Sequence, residues 1–415
     1  MSTAAVKRVL IVAHGHPRFS KGGAELAALQ MFEAFEREPG WEPWLLARHA
    51  EPGLVRPGAM LRELAERQLL LTADTDPFLF AARRLQTLTD DVADLLQRLQ
   101  PAVVHFHHYV NVGIEMIRAV RTHAPRARIA LTLHEFLAIC HQSGQMLKTS
   151  GELCQRASPA ECHACLPGRP PGDYYLRQRY IRSFFDLVDV FIAPSAFLRG
   201  RYLDWGLPAE KVQVIENGQP PRHAELPPPA CPPRRFAYFG QITPFKGLEL
   251  LSEAWRLLPA AWRREQGLSL AIHGDGHQRF GSAFAERIER AFAAAGEGFH
   301  HAGAYEPEGL AGRLREADAV VVPSTWWENS PLVIQEAYAH GRPVICADIG
   351  GMAEKVRDGI DGLHFSARSA ESLAATLRRA VDRPGLWAQL VAGVQPPPGI
   401  AQTLAQCRAA YGLAE

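Results

Sequence analysis

Residues 319–347 read AVVVPSTWWENSPLVIQEAYAHGRPVICA. An apolar run (AVVVPS, 319–324) passes through a loop into a helical apolar period over 331–340, and a second run, PVICA (343–347), follows. Strands apolar at consecutive positions are buried on both faces, the condition of a parallel sheet covered by helices. The stretch is therefore one strand–helix–strand unit of an α/β sheet.

The same alternation extends in both directions. Strand RFAYFG (235–240) leads to a helix from Gly247, and strand SLAIHG (269–274) leads to helices near 282–295 and 307–316. A helical tail from 369 is broken by PPP at 396–398. Earlier in the chain, RVLIVA (8–13) precedes an amphipathic helix over 22–38. Strand-like runs recur at 43–47, 102–107, 129–133, 189–193 and 212–215. Between the halves, GQPPRHAELPPPACPPR (218–234) carries seven prolines and no apolar period, the composition of a linker. The expected organisation is a first domain over 1–217, a linker over 218–234 and a second domain over 235–395. A C-terminal helix in 396–415 is open to crossing back onto the first domain. The fold class is α/β: two Rossmann-like, doubly wound parallel sheets facing across a cleft, with ligands at the carboxyl ends of the strands.

A length of 415 residues suits two domains. With 45 Lys+Arg against 44 Asp+Glu, the net charge of +1 argues against a nucleic-acid binder, which needs a basic excess. The early apolar run Val9–Ala13 is too short for a secretory signal or a membrane span, so a cytoplasmic location is expected, at most against the inner face of the cell membrane.

Several groups suit the chemistry of an anionic, hydroxyl-rich ligand. Glu328 lies in the loop after a buried strand and Glu336 eight residues on, inside the helix. Asn329, Ser330, Pro331 and Leu332 form the head of that helix, where open amides and the dipole favour an anion. FGQITPFKG (239–247) runs a strand into a glycine turn, with Gly240 and Gln241 at the turn and Lys246 just before the next helix. HGDGH (273–277) places Gly274 after the following strand, and IGGMAEKVRDGIDGLHF (349–365) adds Gly350, Gly351 and Glu354. In SKGGAE (20–25), Gly22 and Gly23 allow close approach of a phosphate to the backbone.

Together and in this order, these motifs resemble the retaining glycosyltransferases of family 4, which have the GT-B fold. The resemblance covers nearly the whole chain, more strongly in the carboxyl half. It implies transfer of a sugar from a nucleotide-diphosphate sugar to the hydroxyl of a carbohydrate or lipid-linked acceptor, with retention at the anomeric carbon, as in polysaccharide or glycolipid synthesis. It implies that Glu328 holds hydroxyls of the donor sugar and Glu336 the ribose. Lys246 faces the diphosphate, and Asn329–Leu332 lies beside sugar and phosphate. Where the family usually has arginine after the strand's glycine, this chain has Gln241, which keeps donors but no charge. Diphosphate binding is then expected to lean on Lys246 and the helix end.

Histidines in AVVHFHHYVN (102–111) and LTLHEF (131–136) sit at strand ends. The resemblance points to His134 as the functional one, with His107 second, whereas His105 and His108 suit core or surface roles. The expected mechanism is electrostatic: Lys246, the Gly22–Gly23 amides and the helix at Pro331 help the diphosphate leave. A phosphate oxygen on the same face takes the acceptor's proton, as the family implies.

No cofactor is expected to be required for catalysis. Asp74-Thr75-Asp76 spells an acid-x-acid motif that binds manganese in other glycosyltransferases, but here a turn or helix cap is the preferred reading. Cys140, Cys154, Cys162 and Cys165 supply four thiols for a structural zinc ion, with His141 or His163 as substitutes; unligated residues and a redox pair are the alternatives. DYYLRQRYIRSFF (173–185) suggests a peripheral membrane or anionic-lipid contact, against the preferred reading of a packing helix with one solvated face. A non-catalytic scaffold, or an epimerase or phosphorylase of the same architecture, are the competing functions. A dehydrogenase is excluded because HGHPRFSKGG (14–23) lacks the spaced glycine fingerprint.

Overall fold

A computed structural model describes residues 6–20, 22–50, 60–220 and 226–413. The chain divides into two compact units, Met1–Pro220 with Pro398–Glu415, and Pro221–Pro397.

Unit 1 is built on an eight-stranded sheet of order β3-β4-β2-β1-β5-β6-β7-β8. Its strands are β1 (Lys7–Ala13), β2 (Trp41–Arg48), β3 (Leu61–Ala65), β4 (Gln68–Leu71), β5 (Val103–Phe106), β6 (Arg128–Thr132), β7 (Val190–Ala193) and β8 (Val212–Val214). All neighbours pair in parallel except β3 with β4. In β1 the five residues from Val9 to Ala13 are all buried, as consecutive apolar positions require. The helix Gly23–Glu36 buries Ala27, Ala28, Met31, Phe32 and Phe35, which share one helical face.

The antiparallel pair β3–β4 does not follow from the apolar pattern. LRELA is half exposed and reads as helix-forming, and the strand is made by the turn at Arg67 (φ 56°) and by pairing with β4.

After leaving unit 1 the chain returns at Pro398. Gln219 donates its N–H to the Pro398 carbonyl at 2.9 Å, and Ile400 donates to that of Gln219 at 2.9 Å. The helix Ile400–Tyr411 then buries Leu404, Cys407 and Tyr411 in a core shared with Val9, Phe32, Phe35 and Ile192.

Unit 2 is a wholly parallel six-stranded sheet of order β11-β10-β9-β12-β13-β14. Its strands are β9 (Arg235–Phe239), β10 (Ser269–His273), β11 (Phe299–Gly303), β12 (Ala319–Val322), β13 (Val344–Ala347) and β14 (Gly362–Phe365). Trp255 and Trp387 anchor its core.

Part of the proline-rich segment belongs to this unit. Leu226 packs on the core, and the fully buried Asp318 accepts N–H groups from Ala230, Arg234 and Arg235 at 2.9, 3.0 and 2.9 Å. Among the described residues, no helix is long and apolar enough to cross a membrane.

Candidate functional site

In unit 2, β9 and β12 are sheet neighbours, so the loops after them meet although they lie 82 residues apart. Gly247 makes this possible. Its φ of +73° suits glycine, and a Cβ there would stand 1.9 Å from the Pro323 carbonyl oxygen. Lys246 Nζ is thereby held 2.6 Å from Glu328 Oε1. Ser324 Oγ donates to the same oxygen at 2.7 Å and Trp326 Nε1 at 3.0 Å. Burial acts to raise the Glu328 carboxyl, but Lys246, Ser324 and Trp326 outweigh it and hold the group below the usual carboxylate range. Ser324 and Trp326 are site residues that the spacing of charged groups did not flag.

Glu328, Asn329, Ser330 and Pro331 run directly into the helix Leu332–Ala339, which has no side-chain cap. Its first amides therefore lack the partner an N-cap side chain would supply. The Ser330 hydroxyl is buried with no hydrogen-bond partner among the described residues, a costly state that a bound ligand oxygen would relieve.

Glu336 lies on the same helix, and its carboxylate bonds no described side chain. Burial raises it to about 7. Gly240 and Gly274 touch, for a Cβ on Gly274 would meet the Gly240 carbonyl oxygen at 1.8 Å. Gln241 is exposed, and only its carbonyl is engaged, by Tyr238. Lys246, Glu328 and the helix head thus form one group, Gly240 and Gly274 a second contact, and Glu336 a separate, half-buried acid.

In unit 1 the histidines gather because β1, β5 and β6 are adjacent and end together. His134 Nε2 lies 3.2 Å from His107 Nδ1. His108 Nε2 lies 3.3 Å from Glu135 Oε1, and His14 Nε2 3.4 Å from Glu25 Oε1. Burial, reinforced by the other imidazoles, keeps His107 and His134 well below their ordinary range. Burial likewise lowers His14 and His108 to about 4 and raises Glu135 to about 8.

Gly22 is the N-cap of the helix Gly23–Glu36. Beside it sits the Glu25 carboxylate, which would be 2.3 Å from a Cβ on Gly22 and which accepts from Ser20 Oγ at 2.9 Å. An acid therefore already occupies the side-chain space at this turn, and the phosphate reading of Gly22–Gly23 rests on backbone amides alone. Glu25 is buried two residues beyond the doublet, a position that the glycine pattern does not mark.

Cys140, Cys154, Cys162 and Cys165 do line one pocket, with His141 and Lys148. Yet among the described residues no three His, Cys, Asp or Glu side chains are placed so that they could hold a metal ion. The segment is held by Lys148–Glu161 (2.8 Å), by Thr149 N–H on Cys165 Sγ (3.3 Å) and by Cys154 N–H on the Met146 carbonyl (2.8 Å). Burial pushes the Cys162 thiol up to about 11, so it stays protonated. His141 sits edge-on to Phe78, and His163 Nδ1 lies 2.7 Å from the Arg169 carbonyl oxygen.

Asp76 accepts N–H groups from Phe78 and Leu79 at 2.9 and 2.6 Å, a turn cap. Arg177 is buried and clamps the carbonyls of Phe78, Leu137 and Ala138, so that part of 173–185 faces the protein interior. A cavity of about 500 Å³ in unit 1 is lined by Arg156, Arg182, Arg201 and Trp205. Arg182 and Arg201 there are engaged by the Trp205 carbonyl, the Gln155 carbonyl and Asp204, and none of the site residues above borders it.

The family model described as Glycosyltransferase Family 4 matches residues 21–222, and that described as Glycosyl transferases group 1 matches residues 233–383. Lipopolysaccharide 1,2-N-acetylglucosaminetransferase of Salmonella typhimurium is 30% identical over 203 residues, 46% of this chain and 52% of that protein. The match thus spans about half of that relative's length. Sucrose-phosphate synthase from Thermosynechococcus elongatus aligns over 98% of both chains with a TM-score of 0.70 at 19% identity. HepE of Anabaena, solved in complex with UDP and glucose, aligns over 98% of this chain and 99% of that one, with a TM-score of 0.66 at 17% identity. At such identities the likeness is one of fold, the GT-B arrangement of two parallel-sheet domains.

Proposed function

Since the chain belongs to the family 4 glycosyltransferases, we propose that it transfers a hexosyl group from a uridine-diphosphate sugar to an acceptor hydroxyl, with retention. The observation that carries this reading is the buried Glu328 carboxylate, which takes Lys246, Ser324 and Trp326 on one oxygen at the head of an uncapped helix. That arrangement leaves Glu328 Oε2 to accept from sugar hydroxyls. It also fixes the Lys246 ammonium on Glu328, whose chain leads through Ser330, a hydroxyl without a partner among the described residues, into open helix amides that would favour the negative charge of a leaving diphosphate.

The bond from the anomeric carbon to the phosphate oxygen breaks, and the acceptor oxygen bonds to that carbon from the same face. The acceptor's proton passes to the departing phosphate oxygen, so no protein base is needed. Lys246 takes the part that arginine at position 241 would share, and no metal ion enters. Glu336 receives the ribose hydroxyls, and His134 serves the reacting sugar as a neutral hydrogen-bonding group. The UDP complex of HepE supports a uridine nucleotide as the donor. The Salmonella lipopolysaccharide N-acetylglucosaminetransferase supports a glycolipid acceptor.

The test is product formation from UDP-glucose and UDP-N-acetylglucosamine, with the anomeric configuration read by NMR. Glu328→Gln keeps the shape but removes the charge, and should lower turnover by about 10²-fold or more. Unimpaired turnover in that variant removes the assignment.

A further inference from the structure

A buried file of polar side chains runs from the C-terminal helix to His134. Tyr411 Oη lies 2.9 Å from His105 Nδ1, and His105 Nε2 lies 2.8 Å from Thr132 Oγ1, so both nitrogens of His105 are satisfied. The His105 ring packs on that of His107 with centroids 4.5 Å apart, and His107 Nδ1 meets His134 Nε2 at 3.2 Å. His105 is fully buried and His107 nearly so, whereas His134 is half-buried. His107 Nε2 is buried with no partner among the described residues.

Two imidazoles joined nitrogen to nitrogen must share one proton, and burial keeps both rings neutral near pH 7. If His134 donated, His107 would carry its own proton on Nε2, an N–H stranded without an acceptor. If His107 donates from Nδ1, only a lone pair is stranded. Buried orphan donors are the rarer and costlier outcome. We propose that His107 is a positioning residue that donates its Nδ1 proton to His134 Nε2 and so fixes His134 as the Nδ1-protonated tautomer, with His105 and Tyr411 as the wall that holds His107 in place.

His134 then presents a hydrogen-bond donor, not an acceptor, from Nδ1. This catalytic consequence rests on the reading of His134 given above; the proton placement does not.

The experiment is ¹⁵N NMR of histidine-labelled full-length protein, which reports the tautomer of each imidazole. The expected result is His134 protonated on Nδ1 in the wild type. The pattern should be lost in His107→Ala and restored in His107→Asn, whose amide nitrogen takes the place of Nδ1–H. A wild-type His134 protonated on Nε2 overturns the proposal, as does an unchanged tautomer in His107→Ala. Should His107→Ala not fold, the wild-type spectrum and that of His107→Asn still decide. For turnover of UDP-glucose, His107→Ala should lose about tenfold or more in kcat with donor KM unchanged, and His107→Asn should recover most of it. Full turnover in His134→Ala would instead remove the role of His134 in the reaction and leave the proton placement standing.

Discussion

Glu336 shows how much one carboxyl can report. Burial raises it to about 7, and no described side chain compensates. If hydroxyls of a bound nucleotide donate to it, they favour the ionised form and binding must release a proton. Affinity for UDP-glucose, whose phosphates do not titrate near neutrality, should then tighten about tenfold from pH 6 to pH 8. Calorimetry across that range checks this, and Glu336→Gln should flatten the dependence. A flat wild-type profile would place the ribose elsewhere.

The histidines of unit 1 make a stability argument with the opposite dependence from their acidic neighbour. His14 and His108 titrate near 4 and His105 near 3 in the fold, against 6.5 when unfolded, with His107 and His134 also well below 6.5. Below pH 6.5 the unfolded chain therefore binds more protons, and stability falls as pH falls. Each group contributes at most about 1.4 kcal/mol per pH unit. Glu135, raised to about 8, does the reverse: its folded form keeps a proton that the unfolded chain loses between 4.5 and 8. Glu336, raised to about 7, acts in the same sense as Glu135, but five imidazoles outweigh two carboxyls, so Tm should drop steadily from pH 6.5 to pH 4.5. A level Tm over that interval would show that the imidazoles are not neutral in the fold.

At the scale of loops and strands, the glycine turns can be tested directly. Gly351 donates its N–H to the Glu328 carbonyl at 2.7 Å, and a Cβ there would stand 1.7 Å from the Asn329 carbonyl oxygen. Gly351→Ala must push the Glu328–Ser330 loop outward, at a cost of about 1–3 kcal/mol and a clear loss of nucleotide affinity. At Gly309 nothing lies within 4 Å of the added carbon, and φ is −82°. Gly309→Ala should change stability by no more than about 0.5 kcal/mol in thermal melts, and equal effects at the two sites would contradict the geometry.

The same scale explains what could be read from the chain beforehand. β1, β12 and β13 are legible because doubly covered strands need apolar residues at every position. The edge strand FHHAG at β11 and the short GLHF at β14 carry no such run, so only their pairing defines them. Glu328 and Lys246 stand out as residue types at glycine turns, but their ion pair depends on β9 lying beside β12. His107 meets His134 only because β5 lies beside β6. Sheet order is a tertiary fact that spacing does not carry. The cysteines show the converse: four thiols spread over 140–165 come to line one pocket, in an insert closed by Lys148 and Glu161.

Over the whole molecule, the chain path makes unit 1 depend on residues synthesised after unit 2. The helix Ile400–Tyr411 contributes Leu404, Cys407 and the fully buried Tyr411 to the first sheet's core. Thr403 Oγ1 donates to the Glu216 carbonyl at 2.9 Å, and Arg128 Nε to the Tyr411 carbonyl at 2.9 Å. No residue after Pro397 belongs to the described core of unit 2. Tyr411→Ala removes a buried ring and the partner of His105 Nδ1, and such a deletion costs about 3–5 kcal/mol. Because 1.4 kcal/mol is a factor of ten in an opening equilibrium, amide exchange in β1, β5 and β6 should accelerate by about 10²-fold to several thousand-fold. Exchange in β9, β12 and β13 should stay at its wild-type rate, since their packing is untouched. Hydrogen exchange read strand by strand separates the two outcomes: equal acceleration in both sheets would mean that the last helix supports the molecule as one cooperative body, whereas acceleration confined to the first sheet fixes its role as a late-arriving piece of the histidine-bearing core.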